Sequence, residues 1–397
     1  MPIDIGRGTI ARWTDPRPEH VPLLREAGID GVVLDAPNQA FEAACGAVGI
    51  GTALATSLTG VVEKGLWPGI RSEARRGGDD LAASASREPW VDSNGYLVAV
   101  ERVLNPRSMP VLGHRPTAGR MVPYETLELA LAEARVSGGN FLLALDQRYR
   151  DGLASKDARA LAAWRRLGST AAWLKQNAGL FGRPALATIT ALVEPGGLTA
   201  ELANLLYRRN ASPLLAPAAD PPPPGRVQCL VACSLKPPTP EIGRRIFAHA
   251  TAGATVVIDS TPDPAWKLAK QERDRNFYTL GKGQVVAYHK RIADPSEFAL
   301  DCIDLVTHRS RPARLWNAPS VIALATEGTR TGEALLHLIN YGSALGDEVQ
   351  VRVAGHYKTA ELLRPGQAPR KLETAIRGTT TEVFPPDLGT VAVVRFA

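Results

Sequence analysis

The sequence predicts an α/β protein of several domains: a compact (β/α)8-type barrel, a flavodoxin-like α/β domain and a small C-terminal β-sandwich. Three observations carry this. At 397 residues the chain exceeds what one ordinary core holds. Short apolar runs alternate with helical patterns up to about residue 150, and again from about 185 to 306, which is the mark of parallel sheets. From residue 334 the period changes to short strands, roughly 10 residues apart, separated by turn residues with no helix between them.

In the first region, "TIARW" (9–13) precedes the helical pattern "PEHVPLLREAG" (18–28), and "GVVLD" (31–35) precedes "NQAFEAACGAVG" (38–49). "GTALA" (51–55), "WPGI" (67–70), "YLVAVERV" (96–103), "MPVLG" (109–113) and "NFLLALD" (140–146) read as further strands, and "PYETLELALAEARVSGG" (123–139) as a strong helix. With about eight strand-like segments this is a barrel, compact beside the ~250 residues usual for one, with outer helices missing between 72 and 122. A linking helix follows within 153–181, with Ser155 as its expected N-cap.

The second region repeats the alternation. "ALATITALVE" (185–194), "SPLLAP" (212–217), "VQCLVACS" (227–234), "ATVVIDS" (254–260) and "GQVVAYHK" (283–290) are strands. The helices between them include "TPEIGRRIFAHATAG" (239–253), with a Thr cap and Pro in its first turn. The expected boundaries are 1–152 for the barrel, 153–312 for linking helix and middle domain, and 313–397 for the sandwich.

Composition bounds the function. With 45% hydrophobic and 22% charged residues the chain is globular, and its net charge of +6 comes from scattered arginines. Pairs such as Arg75-Arg76, Arg165-Arg166, Arg208-Arg209 and Arg244-Arg245 read as solvated faces, and no basic stripe with interleaved aromatics points to nucleic acid. Cys45, Cys229, Cys233 and Cys302 show no metal-ligand spacing and are expected to be reduced and buried, in a cytoplasmic protein with neither metal nor cofactor. No apolar run approaches the ~18 residues of a membrane span, and no secretory h-region opens the chain.

The three-part order, with "RRIFAHATAGATVVIDS" (244–260), "GKGQVVAYHKRIADPSEFALDCIDLV" (281–306) and "EALLHLINYGS" (333–343), resembles the modular glycoside hydrolases of the family 42 β-galactosidase type. The resemblance implies a carbohydrate ligand at the barrel mouth, a glutamine-amidotransferase-like middle domain and a homo-oligomer formed through that domain. That family carries catalytic glutamates, often in an Asn-Glu context; no Asn-Glu pair occurs in this chain, so no catalytic residue is carried over. Cys233 likewise lacks the glycine-flanked elbow of an amidotransferase nucleophile and reads as structural.

Site candidates come from placement. Glycosidic cleavage uses two carboxyl groups, and in a barrel these stand at C-terminal strand ends. Asp35 closes "GVVLD" and Asp146 closes "NFLLALD", flanking the first strand if these are the second and eighth. The same position also suits a cap for the following helix. "REPWVDSNG" (87–95) adds Glu88, Asp92 and the stacking face of Trp90; the other reading is a turn before a strand, with Trp90 in the core. Trp13 and Trp67 supply further aromatic faces, and Arg71, His114 and Arg115 further polar ones. Glu101, within an expected strand, matters only if it points into the barrel. Two functions fit: a glycoside hydrolase-like enzyme, or a non-catalytic carbohydrate-binding or assembly protein that kept the architecture.

Overall fold

The computed structural model describes residues 3–58, 60–70, 91–115, 123–196, 198–225, 227–290, 295–306, 311–342 and 349–397. The first part contains β1 (Ile10–Arg12), α1 (Val21–Glu26), β2 (Gly31–Leu34), α2 (Gln39–Ala47), β3 (Gly51–Leu54), β4 (Val61–Val62), β5 (Gly69–Ile70) and β6 (Val91–Asp92). It continues through α3 (Gly95–Leu104), β7 (Val111–Gly113), α4 (Thr126–Val136), β8 (Asn140–Ala144), α5 (Gln147–Ala154) and α6 (Ala158–Gln176). Six strands form one sheet in the order β3-β2-β1-β8-β7-β4, all neighbours parallel. β1 lies between β2 and β8, as the strand-end reading required.

This sheet curls into a half-barrel. Alternation sends Ile10, Val33, Val111 and Leu142 to the concave face, where Ile3, Ile5 and Val61 complete a small cluster. Ala11, Val32, Leu112, Phe141 and Leu143 point the other way, into the main core. The expected eight-stranded barrel is therefore corrected to six strands in one open sheet among the described residues. "WPGI" contributes only β5, paired antiparallel with β6 outside that sheet.

Residues 96–103 are not a strand but most of α3. Five apolar residues in a row do not discriminate the two periods. Length does: Val98, Val103, Leu104 and Tyr96 all reach the core as the helix turns. Glu101 lies on this helix and accepts from Asn105 Nδ2 one turn on (3.0 Å), so it does not point into the barrel. The linking helix is corrected as well. Asp157, whose carboxylate accepts from Ala160 N at 2.8 Å, caps α6, while Ser155 ends α5. α6 packs on α1, α4 and α5 as part of the helical layer.

The middle part holds β9 (Ile189–Val193), α7 (Thr199–Arg208), β10 (Leu214–Pro217), β11 (Cys229–Ala232), α8 (Pro240–Ala252), β12 (Thr255–Ile258), β13 (Lys267–Gln271), β14 (Arg275–Leu280), β15 (Gly283–Tyr288) and α9 (Pro295–Leu305). Its sheet runs β10-β9-β11-β12-β15-β14-β13. The five parallel strands have the flavodoxin order, in which the first strand lies between the second and third. α8 is capped by Thr239, accepting from Ile242 N, and ends at Gly253 with φ +119°. Cys229 and Cys233 face the same side, and all four thiols are buried, as expected, their pKa values pushed up by burial. The hairpin β13–β14 has no counterpart in the sequence reading. Its outer strand is exposed throughout, so no apolar alternation marks it.

The last part is a sandwich of β17 (Val321–Glu327), β18 (Ala334–Asn340), β24 (Val391–Phe396), β20 (Ala360–Leu363) and β21 (Arg370–Leu372) in one sheet. β16 (Ala313–Trp316), β19 (Gln350–Ala354), β23 (Thr380–Val383) and β22 (Ala375–Arg377) form the other. The stretch "RKLETAIRG" (370–378) breaks at Glu373-Thr374 and serves both sheets. Strand β18 is buried on both faces. Leu336 and Leu338 fill the sandwich, while Leu335 and Ile339 enter the main core, which explains its near-continuous apolar run.

A candidate site at the mouth of the curled sheet

One step above the concave apolar layer, the alternation places Arg12, Asp35, Glu63, Gly113 and Ala144 around the C-terminal end of the sheet. Arg12 and Glu63 meet there, Nη2 to Oε1 at 3.0 Å, with the arginine side chain 10% exposed and the glutamate 36%. Arg115 approaches the same oxygen at 3.6 Å from solvent. The Nε of Arg12 is buried with no hydrogen-bond partner among the described residues. Burying a guanidinium donor without an acceptor is unfavourable unless another oxygen completes its shell.

Two glycines allow this. Gly65 N donates to Gly113 O at 2.9 Å, and a Cβ on Gly65 would lie 2.8 Å from that carbonyl oxygen and 3.0 Å from Phe141. A Cβ on Gly113 would meet Val61 at 3.0 Å and the Glu63 carboxyl at 3.2 Å. The chain after β4 thus crosses tightly over the end of β7, with Glu63 beside the mouth.

Of the residues singled out from the sequence, Asp35 and Arg115 fall at this mouth, and the other described ones lie apart from it. Asp35 is exposed at the end of β2. Asp146 is buried and caps α5, accepting from Tyr149 N at 2.7 Å. Trp13 is 5% exposed. Its ring lies in the main core 6.2 Å from Trp164, and its Nε1 donates to Asp15 O at 2.9 Å. Trp67 is buried with its ring 4.7 Å from that of His114, whose Nδ1 bonds Gly65 O at 2.9 Å. Neither tryptophan has an open face for stacking. Asp92 sits in β6, near Tyr96, whose hydroxyl is pushed up to about 12 by burial first and then by Glu201, Glu133 and Asp92. Arg71, Glu88 and Trp90 lie outside the described residues.

"VDSNG" has another role. Asn94 Oδ1 accepts from Leu66 N (2.8 Å), and its Nδ2 donates to Leu66 O and to Glu133 Oε1 (2.6 Å). Its backbone N–H reaches both Glu133 oxygens at 3.0 Å, and Tyr341 Oη donates to Oε2 at 2.6 Å. Glu133 is fully buried on α4, and desolvation raises its pKa to about 7 against these donors. The cluster ties mouth loop, helical layer and sandwich together.

Arg12, Glu63 and Glu133 were not singled out from the sequence. "GVVEKG" ends an apolar run in an acid, as "GVVLD" does, and that signal points to Glu63. Nothing local marks Glu133, one of two acids in a helix buried at every position but Arg135; the other, Glu128, is paired with Arg166 at 2.6 Å. Among the described residues no His, Cys, Asp and Glu cluster could hold a metal, and no helix is long and apolar enough to cross a membrane.

Neither a protein-family model nor a curated protein sequence matches the chain. Among solved structures, α-L-fucosidase isoenzyme 2 from Paenibacillus thiaminolyticus is similar at 9% identity and TM-score 0.55, over 96% of this chain and 80% of that one. A catalytic mutant of a GH42 β-galactosidase from G. stearothermophilus matches at 13% identity and TM-score 0.49, over 76% and 56%. A β-galactosidase from Bacillus circulans sp. alkalophilus matches at 9% identity and TM-score 0.47, over 73% and 60%. The chain thus spans less than two thirds of those β-galactosidases. At 9% identity the fucosidase match speaks to fold alone, and the fold is glycoside hydrolase-like.

Proposed function

We propose that this chain is a glycoside hydrolase-like protein that takes carbohydrate at the mouth of the curled sheet, on a polar face made by Arg12, Asp35, Glu63 and Arg115. The observation that carries the reading is Arg12. It is nine-tenths buried, tied to Glu63, and has an Nε with no partner among the described residues, at the strand ends where sheets of this kind receive ligands. Beside it, Glu63 and Arg115, 36% and 71% exposed, present an acceptor and a donor to sugar hydroxyls.

The non-catalytic alternative has its own support. Hydrolysis requires one carboxyl group as proton donor and a second as base or nucleophile, about 5 to 9.5 Å away. Asp146 is engaged as a helix cap, and Glu63 Oε1 already faces two guanidinium groups. That arrangement holds a ligand better than it transfers a proton.

Titration calorimetry with lactose and L-fucose, beside release assays on p-nitrophenyl β-galactoside and α-fucoside, tests both modes. Arg12→Ala and Glu63→Gln should each weaken binding by about 10- to 150-fold, in line with about 1.5–3 kcal/mol for a hydrogen bond to a charged group. Unchanged affinity in both variants rejects the mouth. Release of nitrophenol that Glu63→Gln or Asp35→Asn abolishes would establish catalysis. The resembled family also implies self-association through the middle sheet, and light scattering that reads a 42.4 kDa particle at micromolar concentration would reject it.

A further inference from the structure

Away from the mouth, α8 and the hairpin β13–β14 enclose an open cavity of about 820 Å³, within the size range of small-molecule sites. Its aromatic wall is Trp266, half-buried and standing just before β13. Phe247 crosses that ring near-perpendicularly at 4.7 Å and Tyr278 does so at 6.0 Å, so the indole is buttressed by two neighbours. The loop carrying it is ordered by its own chemistry. Asp263 Oδ1 accepts from Ala265 N at 2.9 Å, and Asp263 O accepts from Trp266 N at 3.1 Å. Around the ring, Arg244, Thr251, Thr261 and Asp263 line the same space, all exposed.

We infer that this groove is a second carbohydrate site, in which a neutral pyranose stacks on Trp266 and hydrogen-bonds Arg244, Asp263 and the two threonines. One guanidinium and one carboxylate leave the lining without net charge. That favours a neutral polyol over a phosphate or an acidic sugar, for which the carboxylate would be repulsive. A half-exposed, pre-oriented aromatic face flanked by donors and acceptors of both signs matches a ring with an apolar face and a rim of hydroxyls. The inference needs no contribution from Arg12 or Glu63 and stands or falls apart from the mouth.

The test uses the full chain. In a proton–nitrogen NMR spectrum, the indole N–H resonance that disappears in Trp266→Phe identifies the reporter. Lactose or cellotetraose should shift it in the wild type and equally in Arg12→Ala. By calorimetry on the Arg12→Ala background, adding Trp266→Ala should weaken the remaining affinity about tenfold or more. Asp263→Asn, which keeps the Oδ1 acceptor that orders the loop, should weaken it several-fold and guards against misfolding of the Trp266→Ala protein. A reporter unmoved by both sugars overturns the proposal, as does undiminished affinity in the two groove variants. A change of light-scattering mass in Trp266→Ala with unaltered sugar affinity overturns it too, assigning the groove to self-association. Loss of binding in Arg12→Ala while the reporter still shifts supports both sites; an unaffected Arg12→Ala with a shifting reporter supports the groove and rejects the mouth.

Discussion

Glu133→Gln should change the pH dependence of folding stability rather than merely lower it. Burial raises the Glu133 carboxyl from 4.5 to about 7, so between those values the native state binds the proton that the unfolded chain has lost. Stability from this group is fully present below pH 4.5 and is lost as pH rises through 7. At about 1.4 kcal/mol per pH unit the full loss is about 3 kcal/mol, most of which falls between pH 5 and pH 8. His337 works in the opposite direction. It is buried in β18 with Nε2 bonded to Thr326 Oγ1 at 3.0 Å, and burial lowers its pKa to about 3. Its contribution is present above pH 6.5 and falls by roughly 2 kcal/mol on going down to pH 5. The two nearly offset each other over this window, so the wild type should show little slope from this pair. Glu133→Gln removes one of them. Asn94 N–H can still donate to the amide oxygen, and the Tyr341 hydroxyl can turn to accept, so the pH-independent cost is about 1–2 kcal/mol. Urea unfolding at pH 5, 6, 7 and 8, followed by tryptophan fluorescence, should show the variant itself losing about 2 kcal/mol from pH 8 to pH 5 while the wild type stays nearly level. A variant profile parallel to that of the wild type would refute the reasoning.

Three further outcomes are expected. Asp146→Ala should lower stability by about 1 kcal/mol through loss of the α5 cap, whereas Asp146→Asn should be nearly neutral, and neither should alter sugar affinity by calorimetry. Gly65→Ala should destabilise by about 2 kcal/mol and weaken binding at the mouth, because its Cβ would press on the Gly113 carbonyl at 2.8 Å; Gly179→Ala, with nothing within 4 Å of its Cβ, should melt within about 1 °C of the wild type. His337→Gln, the mirror of the opening experiment, should make stability rise by about 2–3 kcal/mol from pH 8 to pH 5 in the same urea series.

The parts legible in the sequence are those where a local pattern coincides with a single burial environment. "GVVLD", "TIARW" and "NFLLALD" were readable as adjacent parallel strands, the alternating strands and helices of the middle part from the same periodicities, and the cap of α8 from the Thr239-Pro240 pair. The site was harder to read because its residues are distant in sequence. Arg12 and Glu63 stand 51 residues apart, one closing β1 and the other just after β4, strands that are not neighbours in the sheet. Asp35 and Asp146 looked equivalent as strand-end acids, yet one is exposed and the other caps a helix, a difference set by whether the next residues turn straight into a helix.

By itself the sequence determined the class of protein: strand–helix alternation, then a change of period, requires parallel sheets followed by an antiparallel sandwich, because side-chain spacing must match the face each element buries. It also determined that the thiols would be buried and that the +6 charge would be dispersed. Only the tertiary structure decided that the first sheet is half a barrel, that "YLVAVERV" is helical, and that Asn94 serves a buried glutamate rather than a ligand. The reason is physical. A local run encodes its own period, but whether an apolar segment closes a barrel or lies across it depends on what else is available to cover it. A carboxylate such as Glu133 tolerates burial only because Asn94 and Tyr341, 39 and 208 residues away, arrive with their donors.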